Sequence, residues 1–229
     1  RLANEIRGLK RHLPHLTHIS LVGNSLGGLY ARYAAHLLHD PGDKTIAGLM
    51  PETFLTIATP HLGVRRHTWV PLPDQVHGAV AVFMGQTGQD LFLRDAVGKG
   101  EDEEPLLLHM ATSEPFLSSL RAFKRRCAYA NASGDFMVPY ETAAFIHHEE
   151  QLPPFLSNKS IVERVLGKRE GEILGIVDQK EKPHDRDVGL RVKTKAREFE
   201  IRMAHGLESL GWRRVVVDFG GLIPLSHNK

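Results

Sequence analysis

Ser25 lies in Val22-Gly23-Asn24-Ser25-Leu26-Gly27-Gly28, after the apolar run Ile19 to Val22 and before a helix-like pattern from Leu29 to Leu38. A serine in Gly-x-Ser-x-Gly between a strand and a helix has the spacing of an activated nucleophile. The hydroxyl attacks an acyl carbon well only when a sharp turn holds it out of the sheet, within reach of a base. Such a turn imposes strained dihedrals on the serine. It also brings strand and helix so close that flanking side chains would collide. Gly23 and Gly27 are expected to remove those side chains, with Gly28 extending the clearance. The first N–H groups of the following helix lack intrahelical acceptors, so the Leu26 N–H can face a developing oxyanion. The pentapeptide alone also reads as an ordinary glycine-rich turn; its strand-and-helix context favours the nucleophile.

A nucleophile needs a base, and the base needs an orienting carboxylate. Parallel α/β sheets gather such groups beyond the carboxyl ends of their strands. Four segments that read as strands end near Ser25, Thr59, Asp135 and His227. Three of these ends give Ser…Asp…His, the chain order of the α/β-hydrolases. In that arrangement Ser25 Oγ attacks an acyl carbonyl. His227 takes the proton and returns it to the leaving group, and Asp135 fixes the imidazole tautomer. Each assignment has a rival. Asp135 follows Gly134 and could be a turn former, although Val138-Pro139 behind it reads as the start of a helix. Among 14 histidines, His205 falls on a helix, His147 and His148 follow a short helix, and His184 lies in a polar stretch. His61, beside the second strand end, is expected in a structural hydrogen bond. His227 alone follows a strand late in the chain. No metal or organic cofactor is expected. His-Glu-x-x-His and Cys-x-x-Cys are absent, the side chains of His147-His148-Glu149-Glu150 would diverge on a helix, and the glycines fit no nucleotide loop.

The positioning elements follow from periodicity. Leu2, Ile6, Leu9 and Leu13 mark an amphipathic helix closed by Pro14. His18 to Val22 reads as a strand, Leu29 to Leu38 as a helix ended by Asp40-Pro41-Gly42, and Thr53 to Ala58 as a second strand. Together these form a βαβ unit of a parallel sheet. Residues 64–114 lose the pattern and are expected to form a cap or lid. Phe116 to Phe123 reads as a helix and Cys127 to Ala130 as a third strand. Residues 146–195 read as a polar insertion, with an apolar patch at Ile173 to Val177 and a linker at 178–187. Lys195 to Leu210 is a helix with an inner stripe of Phe199, Met203, Leu207 and Leu210. Val215 to Val217, with Phe219, is a fourth strand. The fold class is α/β: a partial α/β-hydrolase fold, with a mainly parallel sheet flanked by helices and a cap-like insertion. Residues 1–229 are expected to form a single incomplete domain.

Composition narrows the function classes. The 229 residues are 41% hydrophobic and 24% charged, with a formal charge of +2. That balance is globular, and the charge is too small to argue for nucleic acid. The basic clusters Arg65-Arg66, Lys124-Arg125-Arg126 and Arg213-Arg214 read mainly as solvated, with docking at an anionic lipid surface as the minority reading. Cys127 is the only cysteine, so no intrachain disulfide can form; it is expected to be a small core residue. No apolar run approaches the ~18 residues of a membrane span. The chain opens at Arg1 within a helical pattern, and it is expected to be a piece of a longer protein.

Several segments resemble the eukaryotic family of putative serine esterases, a lipase-like branch of the α/β-hydrolases. They are Val22 to Tyr33, Ala58-Thr59-Pro60-His61-Leu62-Gly63, Thr87 to Leu93, Phe123 to Asn131, the Asp135 loop with Val138-Pro139, and Ser226-His227-Asn228. The resemblance implies hydrolysis of a lipid acyl ester. It implies as partners a lipid or other acyl-ester substrate and, peripherally, a membrane or lipid-droplet surface. It places the chain inside the cell, in the cytoplasm or at such a surface. The strands that precede the serine strand in that family, with the loop carrying the second oxyanion donor, are not found in this sequence, nor is the helix after the histidine. An acyltransferase or thioesterase using the same triad is the alternative within enzymes. A catalytically silent lipid- or protein-binding module is the alternative outside them.

Overall fold

The computed structural model describes residues 1–64, 90–91, 93, 104–132, 135, 137–146, 172–181 and 195–218. In chain order the elements are α1 (Leu2–His12), β1 (His18–Asn24), α2 (Leu26–Leu38), β2 (His39–Asp40), β3 (Thr45–Ile46), β4 (Met50–Ile57), α3 (Leu106–Thr112), α4 (Glu114–Arg121), β5 (Arg125–Asn131), α5 (Tyr140–Ala143), β6 (Glu172–Asp178), α6 (Lys195–Glu208) and β7 (Arg213–Asp218). The main sheet has the order β1-β4-β5-β7-β6. Its first four strands run parallel, and β6 pairs antiparallel with β7. The fold is α/β, a mainly parallel sheet flanked by helices.

The parallel core follows from runs such as Val215-Val216-Val217, buried along with their strand, as parallel strands covered on both faces require. Around it α2, α3, α4 and α6 share one apolar cluster with Leu21, Phe54 and Ala128. The centre is aromatic. Trp212 meets Phe54 at 6.0 Å and Phe145 at 5.4 Å between ring centroids, and Phe54 meets Phe123 at 5.4 Å, all near edge-to-face. That geometry suits the ring quadrupoles. In α6 the expected stripe is inward: Met203 and Leu207 are fully buried, as is Leu210 just beyond the helix. In α1 only Ala3 and Ile6 are buried, and Leu2, Leu9 and Leu13 remain exposed.

Three features differ from the sequence expectation. The Asp40-Pro41-Gly42 stop is the turn of a small hairpin between β2 and β3, with Asp40 Oδ1 accepting from Gly42 N at 2.9 Å. The apolar patch at 173–177, read as part of an insertion, is the edge strand of the main sheet, in register from Glu172 with Asp218 to Asp178 with Arg213. A bidentate Arg213–Asp178 pair at 2.7 and 3.0 Å closes it. β-branched residues on the free edge of β7 supply the pairing that a polar context concealed. Residues 179–181, expected at the start of a linker, are also tied down. Gln179 N donates to Trp212 O at 2.8 Å, and Arg126 pairs with Glu181 at 2.7 Å. Of the expected cap at 64–114, most lies outside the described residues. Its last part is α3, whose Leu107, Leu108, Met110 and Ala111 are buried in the core.

Helix α6 crosses α3 so closely that a Cβ on Gly206 would overlap the Ala111 carbonyl oxygen, whereas among the described residues a Cβ on Gly8 in α1 would meet nothing within 4 Å. Gly206→Ala should therefore destabilise the protein by roughly 1–3 kcal/mol, and Gly8→Ala should stabilise it by up to about 1 kcal/mol. Urea midpoints of the two variants test this contrast.

Candidate active site

Ser25 occupies the junction of β1 and α2 with φ 53° and ψ −129°. A non-glycine residue in this region is strained and persists only where its surroundings over-determine it. They do so here. Ser25 N donates to Ile57 O of β4 at 2.8 Å, and Ser25 O accepts from Gly28 N at 3.1 Å. The same carbonyl accepts from Thr59 Oγ1 at 2.8 Å. Leu26 opens the helix, so its N–H has no intrahelical acceptor.

The close approach of strand and helix is real, but Gly27 does not create it. A Cβ on Gly23 would lie 2.6 Å from the Gly27 carbonyl carbon and closer still to Gly28. A Cβ on Gly28 would overlap the Thr59 side chain, while among the described residues one on Gly27 would meet nothing within 4 Å. The clearance expected of Gly27 therefore comes from Gly28. The cause is rotational: Gly28 faces the β4 loop, and Gly27 faces a cleft.

Asp135 follows β5 and is 4% exposed. Its Oδ1 accepts from Met137 N at 3.1 Å and Val138 N at 2.9 Å. Its Oδ2 accepts from Asn131 Nδ2 at 3.3 Å. The turn-forming use of this carboxylate is thus present, and it orients the group. Pro139 caps the short helix α5 directly behind it. Ser25 and Asp135 accordingly follow the carboxyl ends of β1 and β5, with β4 between these two strands. His227 lies outside the described residues; β7, the strand before it, ends at Asp218 beside β5.

Around the β4 loop between them lie residues that the motif reading gave no part in the site. Arg32 of α2 is 1% exposed. Its Nη1 lies 3.4 Å from His61 Nδ1, and among the described residues Nε and Nη2 have no acceptor. Burial lowers its pKa to about 10. His61 is fully buried, with Nε2 3.0 Å from Thr56 Oγ1. A guanidinium can only donate, so Nδ1 is the acceptor and the neutral ring carries its proton on Nε2. Burial first, and the Arg32 charge second, hold the imidazole pKa well below its ordinary value. The expected structural hydrogen bond of His61 is the one to Thr56. Arg32 was legible in principle, because it falls on the α2 stripe with Leu29, Ala31, Ala35 and Leu38. Cys127 is half-buried, and burial raises its pKa, keeping the thiol protonated.

A cleft of about 880 Å³ adjoins the turn. Leu26, Gly27, Tyr30, Leu37, Leu91 and Met110 contribute to its largely apolar wall. Among the described residues no group of three His, Cys, Asp or Glu side chains could hold a metal ion, and no helix is long and apolar enough to cross a membrane.

A serine on a strained turn between a parallel strand and a helix marks an α/β protein with a strand–serine turn–helix unit. The chain belongs to the family described as "Putative serine esterase (DUF676)", whose profile matches residues 1–147. It is 35% identical over 133 residues to "Putative lipase C4A8.10" of Schizosaccharomyces pombe, covering 57% of this chain and 16% of that protein. It is 37% identical over 128 residues to "Putative lipase ROG1" of Saccharomyces cerevisiae, covering 56% of this chain and 18% of the relative. The matched region thus spans less than a fifth of the length of these relatives. No solved structure matches.

A histidine whose folded pKa is depressed favours the proton-free native state. Between that low value and the unfolded value near 6.5 only the unfolded chain binds the proton, so His61 costs stability as pH falls below about 6.5. The loss approaches about 1.4 kcal/mol per pH unit for one proton. Unfolding free energies measured between pH 7 and pH 5 should fall less steeply in His61→Gln than in the parent.

Proposed function

We propose that Ser25 is the nucleophile of a carboxylic-ester hydrolase acting on lipid acyl esters. The observation that carries this reading is the left-handed Ser25 backbone, held by three hydrogen bonds at the start of a helix. Family membership and the names of the yeast relatives support it. In this reading Ser25 Oγ attacks the ester carbonyl carbon while its proton passes to His227. The carbonyl oxygen takes the negative charge and faces the Leu26 N–H. Collapse of the tetrahedral species breaks the bond to the alcohol, which leaves with the proton from His227. Water, deprotonated by the same imidazole, then releases the acid and restores Ser25. Asp135 orients His227 and balances the imidazolium. The apolar cleft beside Leu26 and Gly27 offers the acyl chain a wall, which is why a lipid is proposed over a short polar ester.

Two experiments on the full-length protein test this. A fluorophosphonate probe should label the parent and not Ser25→Ala, and Ser25→Ala should lose roughly 10⁴–10⁶ in ester turnover. A folded parent that resists the probe and hydrolyses no ester in an acyl-chain panel would leave a binding module instead. Leu37→Asp places a carboxylate on the cleft wall, where desolvation opposes apolar contact. It should weaken long-chain ester turnover about tenfold or more and spare short-chain esters. A uniform loss across chain lengths would remove the cleft from the acyl path.

A further inference from the structure

The loop between β4 and Val64 is held at each end by a threonine hydroxyl. At one end Thr59 Oγ1 donates to Ser25 O at 2.8 Å. At the other, Thr142 of α5 bridges two backbone groups: its Oγ1 accepts from Leu62 N at 3.0 Å and donates to Gly63 O at 2.7 Å. Thr142 is fully buried and lies 80 residues away in sequence from the loop it holds. Just before the first anchor, Ala58 takes a left-handed φ of 46°. His61 N donates to Thr59 O at 2.9 Å, and the His61 ring is fixed between Arg32 and Thr56. Gly63, at φ 74°, allows close approach to Leu91, since a Cβ there would lie 2.5 Å from Leu91 O. Val64 N donates to the same oxygen at 2.9 Å. With Gly63 N donating to Pro60 O at 3.1 Å, every N–H from His61 to Val64 has an acceptor.

What Thr142 connects gives it significance. Helix α5 begins at Tyr140, two residues after Val138, whose N–H donates to Asp135 Oδ1. Thr142 N and Ala143 N both donate to Pro139 O at 3.2 Å, so the α5 turn and the Asp135 turn form one continuous hydrogen-bonded segment. One chain of contacts thus runs from the Ser25 carbonyl through Thr59, the 59–63 loop and Thr142 to the Asp135 carboxylate. We propose that Thr142 is a positioning residue for the reaction at Ser25, setting the separation of the nucleophile turn and the acid turn through residues 59–63. This rests on the esterase reading above. A valine at 142 keeps the shape but leaves the Leu62 N–H and Gly63 C=O without their partner. The loop must then move to satisfy them, because unsatisfied buried backbone groups are costly. A shift of about 1 Å in a reacting group lowers turnover by as much as ~100-fold. A purely structural role would lower the folded fraction and leave the reactivity of folded molecules unchanged.

The test compares Thr142→Val, Thr142→Ser and the parent in the full-length protein, measuring kcat, KM, fluorophosphonate labelling rate and amide exchange. Thr142→Val should lose about 10–100-fold in kcat and in labelling rate per folded molecule, with KM unchanged, and Thr142→Ser should recover most of both. Thr59→Val cuts the other anchor and should show the same pattern, which keeps the proposal open to test if Thr142→Val does not fold. Parent-like labelling by folded Thr142→Val, or a loss fully explained by its folded fraction, overturns the proposal. If the parent itself is never labelled, the esterase reading fails separately. Amide exchange then decides the coupling: faster exchange in Thr142→Val at Gly28 and Val138 as well as Leu62 supports it, and a change confined to Leu62 refutes it.

Discussion

The structure depends on one backbone conformation. Ser25 turns from strand to helix with a left-handed φ, a geometry that costs a non-glycine residue of order 1–3 kcal/mol, so its neighbours must hold it there. They do so through a stagger that crosses the sheet. Ser25 N bonds to Ile57 O, Ala58 N to Tyr129 O, and Ala132 N to Val217 O. At the ends of β1, β4 and β5, a residue leaving the sheet is tied to the next strand. The hydrogen-bond ladder thus extends past the strand ends to the edge where the site residues emerge. Gly23 and Gly28 let α2 settle onto this edge, and Thr59 fills the space that Gly28 leaves.

Beneath that edge lies an unusual interior. A guanidinium, an imidazole and an indole are buried side by side: Arg32 contacts His61, and the His61 ring packs 5.8 Å from Trp212 and 5.5 Å from Phe145. Among the described residues Arg32 has no carboxylate partner, and burying a cation without one is costly. The cost is limited here because the imidazole stays neutral and offers Nδ1 as acceptor. A neutral acceptor holds Arg32 in place without supplying a second charge that could titrate near neutral pH. The same cluster fixes the loop that touches Ser25, so the polar interior and the strained turn belong to one arrangement.

Much of this was legible in the sequence, for identifiable reasons. The Ser25 turn carries its own local signature, because glycine, serine and the strand–helix switch lie within ten residues. α2 and α6 were visible because their apolar residues repeat with the helical period, and β1, β4, β5 and β7 because they are short apolar runs. Asp135 was readable as a loop residue after a strand, although the sequence could not show that its carboxylate binds the N–H groups of Met137 and Val138 ahead of α5. β6 was concealed because an edge strand needs only one neighbour, and its exposed Ile173, Ile176 and Val177 sit in polar surroundings. Gly27 was misjudged because a motif gives spacing and not rotation about the helix axis. Thr142 was missed because its partner lies 80 residues away; the α2 stripe marks Arg32 as inward-facing, but nothing local shows that it meets His61, 29 residues on.

The central claim is that the Ser25 turn arms a hydroxyl within a proton relay completed by Asp135 and His227. The most direct measurement is a crystal structure of the full-length protein after reaction with an alkyl phosphonate ester. The account predicts phosphorus bonded to Ser25 Oγ, a phosphonyl oxygen within hydrogen-bond distance of the Leu26 N–H, and the His227 ring between Ser25 and Asp135. An unmodified Ser25 in a folded molecule, or a His227 ring on the opposite rim of the sheet, would contradict it.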